Sequence, residues 1–104
     1  MYKYLILLLL AGCATSSTCP PGTLDVAETP YCAQRPPKII ENPMDYMAVK
    51  QYCFALTGSA VSGCSWLGYD GVWRIYYPEG NACTRNHELR HAQCRTAEHG
   101  PSCR

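Results

Sequence analysis

The sequence predicts a small α+β domain that is stapled by disulfides, with a core helix and a β-hairpin packed on a C-terminal helix. Three observations indicate this fold class. The chain carries eight cysteines behind an apolar N-terminal run, one stretch has the apolar period of a helix, and two β-prone runs flank a glycine-containing turn. Residues 19–104 provide enough chain for one domain, whose core is too small to be stable without extra cross-links.

The N-terminal stretch has the pattern of an export signal. A single positive charge at Lys3 precedes an apolar run over residues 4–10. That run is far shorter than the ~20 residues that a membrane-spanning helix needs. We therefore expect residues 1–12 to be removed from the mature protein.

Leu10-Ala11-Gly12-Cys13 resembles the lipobox of bacterial lipoproteins. The resemblance implies that Cys13 carries the lipid and that residues 13–18, which are small and polar, form a tether to the membrane. It also implies a location in the bacterial cell envelope. Ala14 rather than Asp follows the lipidated residue, which is similar to the outer-membrane sorting pattern of enteric lipoproteins.

The cysteine count favours an oxidising compartment, where disulfides stabilise small exported domains. If Cys13 is lipidated, seven cysteines of the eight remain as disulfide candidates: Cys19, Cys32, Cys53, Cys64, Cys83, Cys94 and Cys103. Because seven is odd, one thiol stays free, pairs with another chain or binds a metal.

Residues 19–42 are rich in proline and have few periodic apolar positions, so we expect irregular coil there, with a Cys19–Cys32 bridge. A helix is predicted over residues 43–57, with Asn42 as its N-cap and Gly58 as its left-handed stop. The helix would bury one stripe of side chains formed by Tyr46, Val49, Cys53 and Leu56.

Two β-prone runs follow this helix, over residues 60–67 and 71–77. The turn chemistry of residues 68–71 predicts that they pair as an antiparallel hairpin. Their aromatic side chains are typical of sheet packing in a small core.

The C-terminal helix carries the motif with the clearest chemical meaning, His87-Glu88-Leu89-Arg90-His91, which matches H-E-x-x-H. We expect Asn81 or Thr84 to cap this helix. On a helix, residues i and i+4 share one face, so both imidazoles can bind one Zn²⁺ while Glu88 stands beside the ion as a general base.

Cysteines also lie on this helix, on the face of the two histidines. Cys83 and Cys94 are about 16 Å apart at 1.5 Å per residue, so they cannot bond each other. We expect Cys83 to pair with Cys53 or Cys64, and Cys94 to pair with Cys103.

The motif and the elements before it resemble the zincins, a group of zinc peptidases in which the motif helix lies beneath a strand that holds an extended substrate. The resemblance implies zinc as cofactor, His87 and His91 as ligands and Glu88 as the catalytic base. It also implies that the strand over residues 72–77 faces the cleft. The substrate stays open, since a small domain has only a shallow cleft: an envelope protein or peptide is as plausible as a free peptide.

The third ligand departs from the pattern of the metzincin branch, H-E-x-x-H-x-x-G-x-x-H. Cys94 stands in place of the glycine, and His99 comes two positions late. A straight helix would place His99 about 12 Å beyond His91, so the chain must bend between Cys94 and Glu98 for His99 to bind the same ion. A Cys94–Cys103 bridge could impose the bend, and Glu98 and the odd thiol remain alternative ligands.

Two other functions stay open. One is a structural zinc site in which thiolates join the histidines, and the other is a disulfide-stapled interaction module at the cell surface, without metal. Only the peptidase requires Glu88 to be a carboxylate. A net charge of +1 and the lack of a basic run argue against nucleic acid as a partner.

Overall fold

A three-stranded sheet with a helix on each face forms the domain, so the α+β prediction is confirmed. The computed structural model describes residues 19–20 and 23–100. Its elements are β1 (Ile39–Met44), α1 (Tyr46–Thr57), β2 (Cys64–Leu67), β3 (Trp73–Pro78) and α2 (Ala82–Cys94), with a 3₁₀ turn at Pro30–Ala33. The predicted signal peptide, the lipobox with Cys13, the tether and Cys103 lie outside the described residues. None of the described helices combines the length and the apolar character needed to cross a bilayer.

The strands have the order β1-β3-β2. β2 pairs antiparallel with β3, with Cys64 opposite Tyr76, and this confirms the predicted hairpin although β2 is shorter than expected. The turn is closed by the amide of Gly68, which donates to the Val72 carbonyl at 2.9 Å. Gly71 has a φ of 78°, a left-handed conformation that glycine adopts without steric cost.

Strand β1 was not predicted, and it corrects both the expected coil and the expected start of the first helix. β1 pairs in parallel with β3, and Pro43 lies within it. Since β1 is an edge strand, a proline that lacks an N–H is tolerated there. The N-cap of α1 is therefore Asp45, not Asn42, and its carboxylate accepts the amides of Met47 and Ala48.

The end of α1 is as predicted, but its buried stripe is narrower. The helix stops at Gly58, which is left-handed with a φ of 76°. Val49 and Cys53 are fully buried, whereas Tyr46 and Leu56 are about half exposed. The reason is that only the middle turns of α1 pack on the buried face of β2 and β3.

Side chains on β3 alternate between two apolar clusters, because successive residues of a strand point to opposite faces. On one face Trp73, Ile75 and Tyr77 pack against Ala92 of α2. On the other face Tyr76 packs with the Val49 region of α1. The sheet thus separates the two helices, and α2 is held against it by Leu89 and Ala92.

Among the described residues there are three disulfides, Cys19–Cys83, Cys32–Cys94 and Cys53–Cys64. The prediction that Cys83 and Cys94 do not bond each other is confirmed. The expected pairings Cys19–Cys32, Cys83 with Cys53 or Cys64, and Cys94–Cys103 are wrong. The physical reason is that the N-terminal segment runs alongside α2, so its two cysteines meet the two ends of that helix.

Glu41 of β1 is hydrogen-bonded to the central strand β3 and to helix α2. Its carboxylate accepts a hydrogen bond from the Tyr77 hydroxyl at 2.7 Å and two from the Arg85 guanidinium at 2.7 and 3.0 Å. The bonds from Arg85 and Tyr77 lower the pKa of Glu41 below its ordinary value of 4.5. Glu41 thereby fixes the first turns of α2 on the sheet.

We predict that Glu41→Gln destabilises the fold by up to about 1 kcal/mol at pH 7, because the ion pair is partly exposed. The pKa of Glu41 is lower in the folded protein than in the unfolded chain, so its ionised form adds to the free energy of unfolding. This contribution is complete above the unfolded pKa of 4.5 and is lost as the pH falls through the folded pKa. Urea unfolding of both proteins from pH 7 to 3 should show the curves converging in acid. A gap that widens in acid would contradict this linkage, and Glu79→Gln, at an exposed position, is the control.

Candidate metal centre

Three imidazoles from two segments meet at one side of α2. Nε2 of His87 lies 3.0 Å from Nε2 of His91 and 3.2 Å from Nε2 of His99. The potential ligand atoms of the three residues all lie within 4.8 Å of one another. The three histidines could therefore hold a metal ion, in the arrangement expected from the sequence.

The spacing fits a tetrahedral ion. Metal–nitrogen distances of about 2.0–2.1 Å place two ligand nitrogens about 3.3–3.4 Å apart. The observed separations of 3.0 and 3.2 Å are close to this value. For the third pair, His91 and His99, the limit is the 4.8 Å within which all the ligand atoms lie, so these two rings would have to adjust around one ion.

Helix α2 places His87 and His91 on one face by its own geometry, since they are four residues apart. Asn81 caps the helix and accepts the amide of Thr84 at 3.0 Å, so the first of the two expected caps is confirmed. Leu89 and Ala92 face the sheet and hold the helix in place. The histidine face is thereby turned away from the apolar core.

His99 reaches the same point because the chain reverses after α2, as predicted. Arg95 is left-handed, with φ 52° and ψ 46°, and the amide of Thr96 donates to the His91 carbonyl at 3.1 Å. The expected cause, a Cys94–Cys103 bridge, is wrong because Cys94 is bonded to Cys32. Such a conformation is costly for a residue other than glycine, and Arg95 gains contacts in return: its guanidinium stacks on Tyr31 at 5.3 Å.

Backbone pairing then holds His99 in position. Val26 and His99 form an antiparallel β-bridge, in which the amide of Ala27 donates to the Glu98 carbonyl at 3.1 Å and the amide of Gly100 donates to the Asp25 carbonyl at 3.0 Å. Glu98, the alternative ligand, is exposed and lies outside the cluster. Every cysteine that the structure describes is in a disulfide, so no described thiol competes with His99.

The imidazoles of α2 have the tautomer that metal binding requires. His91 donates from Nδ1 to the Thr96 carbonyl at 2.9 Å, and Nδ1 of His87 contacts the Thr23 carbonyl. A ring that donates through Nδ1–H presents the lone pair of Nε2, and carbonyl partners of this kind orient metal-bound histidines. Two lone pairs that face each other at 3.0 Å repel, so a cation between them would stabilise the arrangement.

Burial keeps these two rings neutral. It lowers the pKa of His91 to about 4 and also lowers the pKa of His87. Hydrogen bonds to Thr96 and Thr23 act in the opposite direction and do not offset burial. Near neutral pH both histidines are free of the proton that would compete with a metal.

Glu88 lies beside this cluster as a buried carboxyl group. It is 5% exposed, and burial raises its pKa to about 7, although a hydrogen bond with Ser65 of β2 lowers it in part. A carboxyl group with a pKa near 7 can take up and release a proton at neutral pH, which a general base must do. The environment of Glu88 is therefore suited to proton transfer.

The cluster and Glu88 line an open cleft of about 540 Å³. Strand β2, not the expected strand over residues 72–77, lies beside the cleft. The physical reason is that β3 is the central strand with both edges paired, whereas β2 is an edge strand of the sheet that the described residues form. The residues before and within β2 that line the cleft are Val61, Ser62, Gly63, Cys64 and Ser65.

Gly63 allows β2 to approach α2 closely. A Cβ at this position would lie 2.6 Å from Cγ2 of Thr84, 2.9 Å from the Tyr76 carbonyl oxygen and 3.4 Å from Cγ of Glu88. The Tyr76 oxygen is a backbone atom of β3 and cannot move independently of the sheet. A side chain at position 63 would therefore push the strand and the helix apart at Glu88.

We predict that Gly63→Ala destabilises the protein by about 1–3 kcal/mol through overpacking. It should also lower any hydrolysis that depends on Glu88 by up to about 100-fold, because small displacements of a catalytic group are costly. Zinc content should stay at the wild-type level, since the three histidines are untouched. Ser59→Ala, at an exposed position outside the cleft, is the control, and equal effects of both changes would refute the special role of Gly63.

Comparison with protein-family models, with curated proteins and with solved structures finds no match. The interpretation of the site therefore depends on its own geometry. Sequence reasoning found the three histidines and Glu88 but missed Gly63, Ser65 and the carbonyls of Thr23 and Thr96. Every residue has a backbone carbonyl, so no local sequence pattern could have indicated the carbonyls of Thr23 and Thr96.

Proposed function

We propose that this domain is a zinc-dependent peptidase in which His87, His91 and His99 bind the ion and Glu88 is the general base. One observation supports it above the others: a buried carboxyl group with a raised pKa lies next to three convergent imidazoles in an open cleft. A purely structural metal site needs neither the cleft nor the acid. Such sites usually have four protein ligands, whereas three leave one position open.

Zinc is the ion that the donor set favours. Three neutral imidazoles leave its charge uncompensated, and zinc held in this way acidifies water and polarises a carbonyl group. Imidazole also suits copper, nickel and iron, so the identity of the metal is part of the proposal. Thiolates are excluded as ligands among the described residues, because those cysteines are paired.

Glu88 would take the proton from the attacking water and return it to the amine that leaves. In the metal-free protein burial raises the pKa of this carboxyl group to about 7, and the charge of a bound ion would lower it, towards the ionised form that a base needs near neutral pH. The Ser65 hydroxyl holds the carboxyl group from the strand side of the cleft. Ser65 is thus a positioning residue for Glu88.

The cleft suits an extended, uncharged stretch of polypeptide. The free edge of β2 can pair with a substrate backbone, as an edge strand does with an added strand. Apart from Glu88 and the imidazoles, the lining side chains are uncharged, and several carry hydroxyl groups: Thr23, Thr57, Ser62, Ser65 and Thr84. Among the described lining residues, a charged side chain of a substrate would find no ionic partner apart from Glu88 and the imidazoles.

The lipobox leads us to propose anchoring at Cys13 in the bacterial envelope, at the outer membrane. Five residues, 14–18, separate the anchor at Cys13 from Cys19, and the six residue steps between these two cysteines span at most about 22 Å when fully extended. Cys19 is bonded to Cys83, which lines the cleft together with Pro20. The cleft would therefore lie close to the membrane, and its substrates would be polypeptides at that surface.

We predict that Cys13→Ser abolishes acylation and leaves the chain unprocessed or released. Metabolic labelling with a fatty acid probe, followed by fractionation of membranes, measures both effects. Ala14→Ser, beside the anchor, should be labelled as the wild type is. Label in the Cys13→Ser protein would show that the lipobox interpretation is wrong.

The test of the function itself is zinc per mole of oxidised protein, together with hydrolysis of a fluorogenic peptide library. We expect one zinc ion, and activity that a chelator removes and zinc restores. No zinc after equilibration with the ion would overturn the proposal and leave the surface interaction module. One zinc ion without hydrolysis would leave a metal-binding protein that is not an enzyme.

A further inference from the structure

The N-terminal part of the described chain accompanies α2 along its length. We call residues 19–20 and 23–32 the strap. At one end Cys19 is bonded to Cys83 in the first turn of α2, and at the other end Cys32 is bonded to Cys94 at the last residue of α2. The strap is thus covalently joined to both ends of the helix that carries His87 and His91.

Between the two disulfides, residues of the strap contact residues of α2 in the same order along both segments. The Glu28 carboxylate pairs with Arg90, and the Thr29 hydroxyl donates to the Cys94 carbonyl at 2.7 Å. The strap is parallel to α2, because residue numbers along both segments rise together from one bridge to the other. This order leaves the middle of the strap opposite the histidines.

Two of the three ligands depend on the strap for their orientation. The Thr23 carbonyl contacts Nδ1 of His87, and Val26 forms the β-bridge with His99. Only His91 is oriented from within its own helix and the turn after it, through Thr96. The three-histidine geometry is therefore a property of α2 and the strap together.

We propose that the strap is the positioning element of the metal centre, and that its two disulfides couple tight metal binding to oxidation of the protein. The inference depends on the proposed metal binding by His87, His91 and His99. Opening either bridge consumes two electrons and two protons from a dithiol, which is oxidised to its own disulfide, and yields two cysteine thiols. The end of the strap that is released can then move. The Thr23 carbonyl is no longer held against His87, or the Val26 β-bridge against His99.

The other described contacts of the strap are each weaker than a disulfide, although they also include the Thr29 hydroxyl bond to Cys94, the buried side chain of Val26 and the stacking of Arg95 on Tyr31. The Glu28–Arg90 pair is exposed, and such pairs contribute about 0–1 kcal/mol. The β-bridge supplies two backbone hydrogen bonds, at 3.0 and 3.1 Å. While the other bridge is intact, each bridge closes a loop made of residues 19–32 and residues 83–94, so opening it frees the near end of the strap and leaves the far end tied.

Two consequences follow from this coupling. Metal loading comes after disulfide formation, so the site is completed in an oxidising compartment. Since coupling between two equilibria is reciprocal, bound metal must also make the two strap bridges harder to reduce. The third bridge, Cys53–Cys64, joins α1 to β2, and although Cys64 lines the cleft, neither cysteine is among the described groups that orient a ligand, so this bridge lies outside the coupling.

The test compares zinc affinities of three double variants with that of the oxidised protein, by competition with a chromophoric chelator. Cys19→Ala/Cys83→Ala and Cys32→Ala/Cys94→Ala each open one strap bridge, and Cys53→Ala/Cys64→Ala opens the third. Changes in the groups that orient metal ligands typically weaken binding 10- to 100-fold. We expect that loss for each strap variant and a loss of less than about threefold for the third variant, in line with untouched supporting groups.

Stability must be separated from site geometry. Each metal-free variant is therefore unfolded in urea, and affinities are compared at a temperature at which all are folded. A further pair leaves every disulfide intact: Ala27→Pro removes the amide that donates to the Glu98 carbonyl, whereas Ala27→Gly keeps it. Weaker zinc binding in the proline variant alone, with an altered absorption spectrum of bound Co²⁺, is the expected result.

Each outcome decides between the two proposals. No zinc binding by the oxidised wild-type protein would overturn the proposed function, and the inference with it. Wild-type affinity in folded strap variants would overturn the inference while leaving the metal site intact. An equal loss in the Cys53→Ala/Cys64→Ala variant would also overturn it, because the effect would then be general destabilisation.

Discussion

Glu88→Gln is expected to keep the zinc of the wild-type protein and to lose hydrolysis by about 10²- to 10⁴-fold, the range for removal of a general base. The amide occupies the same space in the buried pocket but cannot accept the proton of water. It also avoids the cost of burying a charge, so the fold should be at least as stable. Zinc per mole, peptide hydrolysis and urea unfolding together measure the three effects.

Glu98→Gln is the matched control for this change. Glu98 is a carboxylate of the same segment as His99, but it is exposed and lies outside the cluster. Its substitution should leave zinc content and hydrolysis unchanged. If Glu88→Gln retains wild-type hydrolysis, Glu88 is not the base, and if Glu98→Gln loses zinc, the third ligand has been misassigned.

His91→Ala should remove the metal and the activity together. His91 is 6% exposed, the most buried of the three ligands, and its ring is edge-on to both other imidazoles. Two remaining imidazoles leave too few ligands, and the loss of affinity should exceed the roughly 100-fold that supporting groups cost. Zinc analysis after dialysis against a weak chelator measures it.

The same experiment on His87→Ala and His99→Ala completes the ligand set. Gln93→Ala, on the exposed side of α2 two residues beyond His91, is the control and should keep full zinc. Circular dichroism of each metal-free protein shows whether the helix is intact. Full zinc content in His99→Ala would show that another group is the third ligand. Full zinc content in His91→Ala would refute the three-histidine metal centre.

The sequence by itself determines the features that depend on neighbours along the chain. The hairpin follows from two β-prone runs and a glycine turn, and the end of α1 follows from Gly58. The pairing of His87 with His91 follows from the period of a helix, which needs no tertiary information. The need for a bend before His99 follows from helix length alone, and Arg95 provides that bend.

Only the tertiary structure decided what comes from distant parts of the chain. β1 exists because β3 offers it a partner, in spite of a proline that indicated a helix start. Two of the three disulfides depend on the path of the strap, and spacing along the chain does not choose among the possible pairings of seven candidate cysteines. The Thr23 carbonyl, the Val26 bridge and the fit of Gly63 against Thr84 arise from segments that meet only after folding. Such contacts are non-local and involve backbone atoms common to all residues, so the sequence carries the ligands but not the groups that orient them.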